Sequence, residues 1–177
     1  MQRLRGFSLG CALACQLALP VAAAEFPAEW AGKTVSVVAD VSTRIVVSRD
    51  LEPVDYSLAV TSQIYFSKTG DVLIYDGYAR GARLAPGESR GESTFTAGDG
   101  SVYTSKHQLS ATRKGFKTSD VGSVGHVVDT TTYEVEILGG VSGRIKSYKH
   151  AMHNSAYPLS KALSAKPTSC TIKDGPP

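Results

Sequence analysis

Alternation of apolar and polar side chains with a period of two limits the fold of this chain more than any other feature. From Val35 to Val47 the odd positions are Val35, Val37, Ala39, Val41, Thr43, Ile45 and Val47, while the even ones include Ser36, Asp40, Ser42, Arg44 and Ser48. Successive side chains of a strand point to opposite faces, so this run reads as a strand with one buried side. It exceeds a usual strand length, which predicts a bend or bulge near Asp40 to Ser42. Tyr56, Leu58, Val60, Ile64 and Phe66 repeat the pattern on even positions, and Val72 to Tyr78 forms a third run.

The segment Lys68, Thr69, Gly70 between the second and third runs predicts a hairpin whose glycine takes the left-handed conformation. Its register pairs Phe66 with Val72 and Ile64 with Ile74, which keeps the apolar faces together. Turn signals at Asp99-Gly100 and Gly139-Gly140 separate further strands at Ser93 to Ala97, Val102 to Thr112, His126 to Leu138 and Val141 to Lys149. For the last hairpin, paired positions summing to 280 set Glu136 against Arg144, Glu134 against Lys146 and Val135 against Ile145, with opposite charges meeting on the wet face. Residues 80 to 91 and Lys114 to Gly125 read as surface loops from their composition. The one helical candidate is a short turn from Pro158 to Ala165, with Leu159, Ala162 and Leu163 on one side. The fold class expected is therefore all-β: an antiparallel meander forming a small barrel, or alternatively a β-sandwich, with a short C-terminal helical turn.

Residues 1–24 read as a signal peptide. Arg3 and Arg5 precede the apolar stretch from Phe7 to Val21, which is short for a membrane span, and Ala22, Ala23 and Ala24 suit a signal peptidase. Residues 25–177 are expected to form a single β domain, periplasmic or secreted, with no transmembrane segment. Cys11 and Cys15 lie in the leader, which leaves Cys170 as the single thiol of the mature chain, either packed or linking two chains. The leader also removes two arginines, so the mature charge is close to balanced, but residues 101–177 carry 10 basic and 5 acidic side chains. That half is the one suited to an anionic partner.

Motifs for metal-dependent hydrolysis, phosphate binding and the nucleophile elbow are missing, and no cofactor is indicated. His150 and His153 would need a third ligand such as His126 or Asp129 to hold a metal, and no metal is expected. On the inward phase, Ser62 falls opposite Asp76 in the hairpin register, and Ser105 and His107 share the phase of Tyr103 and Leu109. These four, Ser62, Asp76, Ser105 and His107, are the candidate ligand-binding residues of a partly polar cavity. Ser62, Asp76 and His107 are also the residue types of a hydrolase triad. A second candidate surface is basic: Arg144, Lys146, Tyr148 and His150 along one strand face, with Arg113, Lys114 and Lys117 around a loop that carries Phe116. Such a stripe suits an anionic envelope component ahead of nucleic acid.

The segments Trp30 to Val37 (WAGKTVSV) and Thr168 to Gly175 (TSCTIKDG) resemble those of a loose group of small exported alphaproteobacterial proteins, in which an aromatic or apolar residue, a glycine and a basic residue open a valine-rich strand and a Ser-Cys pair falls late. The resemblance covers the two ends of the chain and implies no activity. Trp30 beside the first strand and Thr132-Tyr133 in a later one also resemble lipocalins, which carry Gly-x-Trp where this chain has Trp-Ala-Gly; this likeness implies a barrel. The expectation that results is a non-enzymatic exported domain binding a small molecule or an anionic envelope component. Its alternatives are a Ser/His/Asp hydrolase and an interaction protein dimerising through Cys170.

Overall fold

The computed structural model describes residues 26–75, 81–139 and 141–177. Its strands are β1 (Lys33–Ile45), β2 (Val54–Phe66), β3 (Val72–Tyr75), β4 (Ala82–Leu84), β5 (Arg90–Thr96), β6 (Val102–Thr112), β7 (Gly115–Val124), β8 (Val127–Leu138), β9 (Ser142–Asn154) and β10 (Lys161–Asp174), preceded by a 3-10 turn at Ala28–Trp30. All ladders are antiparallel, and the strands follow one another around a single ten-stranded sheet in which the first strand pairs with the last. The result is an up-and-down meander curled into a nearly closed barrel. Among the described residues no ladder joins β4 to β5, yet the two touch: a Cβ added at Gly91 would lie 2.6 Å from Leu84 Cδ2. Glycine at that position lets the open edges approach.

The sequence register of the first hairpin holds. Phe66 pairs with Val72 and Ile64 with Ile74, and Gly70 has φ 88°, the left-handed region in which a side chain is strained. The wall β1–β2 alternates without interruption from Lys33↔Phe66 to Ile45↔Val54. The bend expected near Asp40 to Ser42 is absent from that ladder; the irregularities fall in its other neighbour, where β10 carries Thr168 and Leu163 as extra residues.

Three further expectations are corrected. Lys114 to Gly125 is not a loop: it holds β7, paired along its length with β6 and β8. Residues 80–91 contain the short β4 and the start of β5. The helical turn over Pro158 to Ala165 is replaced by a turn leading into β10. Physically, the ladder β1–β10 offers this segment backbone partners along most of its length, which a lone helical turn lacks.

In the last hairpin, Glu136 faces Arg144 and Val135 faces Ile145 as expected, but a bulge follows, and Glu134 faces Ser147 rather than Lys146. The core fills the end of the barrel nearest the 3-10 turn. Trp30 and Phe66 meet edge to face at 5.3 Å, Phe66 and Phe116 lie 5.7 Å apart, and Val35, Val37, Ile64, Ile74 and Leu109 surround them. Trp30 thus plugs one end, and truncating a ring such as that of Phe116, fully buried, would cost about 3–5 kcal/mol.

Candidate functional site

Beyond that plug the barrel interior is hollow. A cavity of about 370 Å³ lies between β1–β2 on one side and β6–β9 on the other, toward the ends of the strands opposite the 3-10 turn. Its β6–β9 wall is built in cross-strand rows. His107 pairs with Asp120, Asp120 with Thr131, and Thr131 with His150, so one polar row crosses four strands. Leu109, Thr118, Tyr133 and Tyr148 form the next row toward the plug by the same registers, and Ser105, Gly122, Asp129 and Met152 the next toward the mouth.

The polar row is internally bonded. His107 Nδ1 lies 2.8 Å from Asp120 Oδ1, with the imidazole wholly buried. A carboxylate only accepts, so Nδ1 donates to it, and the other nitrogen lies 3.4 Å from the Ser93 hydroxyl. Thr118 Oγ1 approaches both Asp120 oxygens, at 3.3 and 3.4 Å. At the far end of the row, Thr131 Oγ1 is 3.0 Å from His150 Nδ1, and His150 Nε2 is 3.8 Å from Asp129 Oδ1. Burial holds the His150 pKa below its ordinary value against the pull of Asp129, and burial raises that of Asp129 against the pull of His150.

Two phenols lie beneath the row. Among the described residues neither Tyr133 Oη nor Tyr148 Oη has a partner in hydrogen-bond geometry, although the Ser62 and Thr131 hydroxyls are their neighbours. Burial, with Asp120 nearby, holds Tyr133 well above the usual phenol range, and burial pushes Tyr148 up to about 12. Both remain neutral donors.

Of the residues singled out in the sequence, Ser62 and Ser105 are buried and line the cavity, and His107 stands directly behind Asp120. Asp76 lies outside the described residues. Asp120 and Thr131 were not legible as site residues, Asp120 because its strand carries too few apolar side chains to read as one. The basic set divides. The β9 bulge turns Tyr148 and His150 into the barrel while Arg144 and Lys146 stay outside, which corrects the expectation of one shared face. Lys114 at 3.8 Å and Arg144 both engage Glu136, and Arg113 and Lys117 are exposed nearby.

Among the described residues no group of three or more His, Cys, Asp and Glu side chains is placed to hold a metal ion, and no helix is long and apolar enough to cross a membrane. A second hollow of about 420 Å³ lies beside the 3-10 turn, under Phe26, Lys68 and Pro86. Its one carboxylate, Asp71, is tied to Arg83 at 2.9 Å. No protein-family model matches the chain, and neither a curated protein nor a solved structure is significantly similar to it.

Proposed function

We propose that the chain is exported and that its mature part is a non-enzymatic binding domain of the cell envelope, which takes a small molecule into the barrel. The observation that carries this reading is the half-filled interior. One end is packed with aromatic rings, whereas the other keeps about 370 Å³ lined by Ser62, Ser105 and Asp120 together with Val41, Leu58 and Val60. That size and mixture of apolar walls with a few convergent polar groups are those of small-ligand sites.

Ser93, His107 and Asp120 stand in the order of a hydrolase triad, but their placement favours a structural role. The carboxylate faces the cavity, the imidazole is buried behind it, and Ser93 is on the far side, on β5. A nucleophile there would not meet a molecule held in the cavity.

The test is native mass spectrometry of protein expressed with its own N-terminus and recovered from the periplasm. A mass starting at Glu25, with a small molecule retained or bound saturably, supports the reading. Gly122 lines the cavity, and a Cβ there meets nothing closer than Ser105 Oγ at 3.8 Å, so Gly122→Leu fills the space without breaking the wall. Binding by Gly122→Leu equal to that of the unaltered protein, or no binding by either, would reject it. Labelling of Ser93 by a fluorophosphonate would restore the hydrolase.

A further inference from the structure

We propose that the ligand is an amine with an apolar body, seated head first with its ammonium group at Asp120; the inference rests on the cavity reading above and names its ligand class. Three observations carry it. The first is charge. The cavity wall holds two carboxylates, Asp120 and Asp129, and none of the described residues that line it is lysine or arginine. An anionic head group would be desolvated beside like charge with no cation to meet it, which is strongly unfavourable.

The second is unused acceptor capacity. Asp120 Oδ1 accepts from His107 at 2.8 Å, but among the described residues the contact to Oδ2 is the long one from Thr118 at 3.4 Å. A carboxylate has about four acceptor sites. The hydroxyls of Ser62 and Ser105, each only 7% exposed, line the same cavity. An ammonium group brings three donors and no acceptor, which matches a cavity whose wall offers a carboxylate and two hydroxyls as acceptors.

The third is a gradient along the strands. Beyond the row that holds Ser105 and Asp129, the lining at the mouth is mainly apolar, with Ile45, Tyr56, Leu58, Val124 and Val127 beside Thr43 and Ser123. The loops and strand ends beyond carry exposed apolar side chains, among them Val47, Leu51, Val54, Val102 and Val128. A ligand polar at its inner end and apolar at its outer end satisfies both regions, and its tail would continue onto this rim.

Calorimetric titration of the mature protein with octylamine, octanol and octanoate at equal ionic strength tests the inference, because the three differ only in the head group. The expected order is amine, then alcohol, then carboxylate, with the amine bound about tenfold or more tighter than the alcohol. Asp120→Asn should remove most of the amine's advantage over the alcohol. Equal binding of amine and alcohol, or preference for octanoate, would overturn the amine assignment while the cavity reading stands. Failure of all three to bind at millimolar concentration would overturn both. Should Asp120→Asn not fold, the order measured on the unaltered protein decides alone.

Discussion

Tyr133 and Tyr148 stand directly opposite each other on β8 and β9, their rings stacked at 6.0 Å with 14° between the planes. Three residues nearer the hairpin on β8, Glu136 faces Arg144, four residues back on β9. The extra residue reverses the facing of everything beyond it. Arg144 points to solvent, whereas Tyr148 and His150, which share its parity, point into the barrel. One bulge therefore converts a basic outer stripe into part of an inner wall.

Deleting single residues of β9 tests this relationship. Removing Lys146 restores strict alternation between Ile145 and Tyr148 and should leave a folded barrel with its cavity. Removing Lys149 turns His150 and Met152 outward and should abolish cooperative thermal unfolding, followed by circular dichroism.

His107 and Asp120 form a deeply buried polar pair of the barrel wall, with side chains 0% and 12% exposed. His107→Ala strands the carboxylate and should cost about 3–5 kcal/mol in urea unfolding. Asp120→Asn keeps an acceptor oxygen for His107 and should cost less, about 1–2 kcal/mol.

Acidification should weaken the fold through His150. Its folded pKa lies below the ordinary 6.5, so between those two values the unfolded chain holds more protons and stability falls as pH drops. Asp129, raised above 3.8, acts in the opposite sense over its own window: there the folded chain holds more protons, and its protonation offsets part of the loss at lower pH. The unfolding free energy of His150→Gln should vary less between about pH 7 and pH 5.5 than that of the unaltered protein.

Cys170 should remain a monomer thiol. Burial pushes its pKa up to about 11, and its sulfur packs where a Cβ on Gly143 would stand. Reaction with an aromatic disulfide reagent at pH 8 should be slow in buffer and complete in urea. A single monomeric band on non-reducing gels is expected, and a reducible dimer would support the interaction-protein alternative instead. Gly143→Ala should destabilise by about 1–3 kcal/mol through overpacking against that sulfur.

Where interior positions are apolar and evenly spaced, as in β1, β2 and the hairpin at Gly70, the sequence pattern and the pairing register agree, until β1 ends at Ile45 and the alternation reverses with Val46 buried and Val47 exposed. The pattern fails where either condition is lost. In β7 the inward positions after Phe116 are the buried Thr118 and then Asp120 and Gly122, which face the hollow, so the strand lacks the apolar half of its signal. In β10 the half-buried positions are Ala162, Ala165, Pro167, Cys170 and Ile172. Two bulges open gaps of three residues, and a spacing of three imitates a helix. The same arithmetic concealed His150. The candidate site was thus half legible: Ser62, Ser105 and His107 lie on regular strands, whereas Asp120, Thr131 and His150 needed the registers of β7 and β9.

The pairing of β1 with β10 ties the beginning of the domain to its end, with the Thr34 hydroxyl bonded to the Gly175 carbonyl at 2.6 Å and the Val46 amide to the Ser160 hydroxyl at 2.9 Å. Of the ten strands, β10 is synthesised last. Until the final strand emerges, β1 has one neighbour instead of two, so the growing polypeptide has no completed ring to arrest it. Late closure of this kind makes a truncation that removes β10 a folding lesion rather than a trimming.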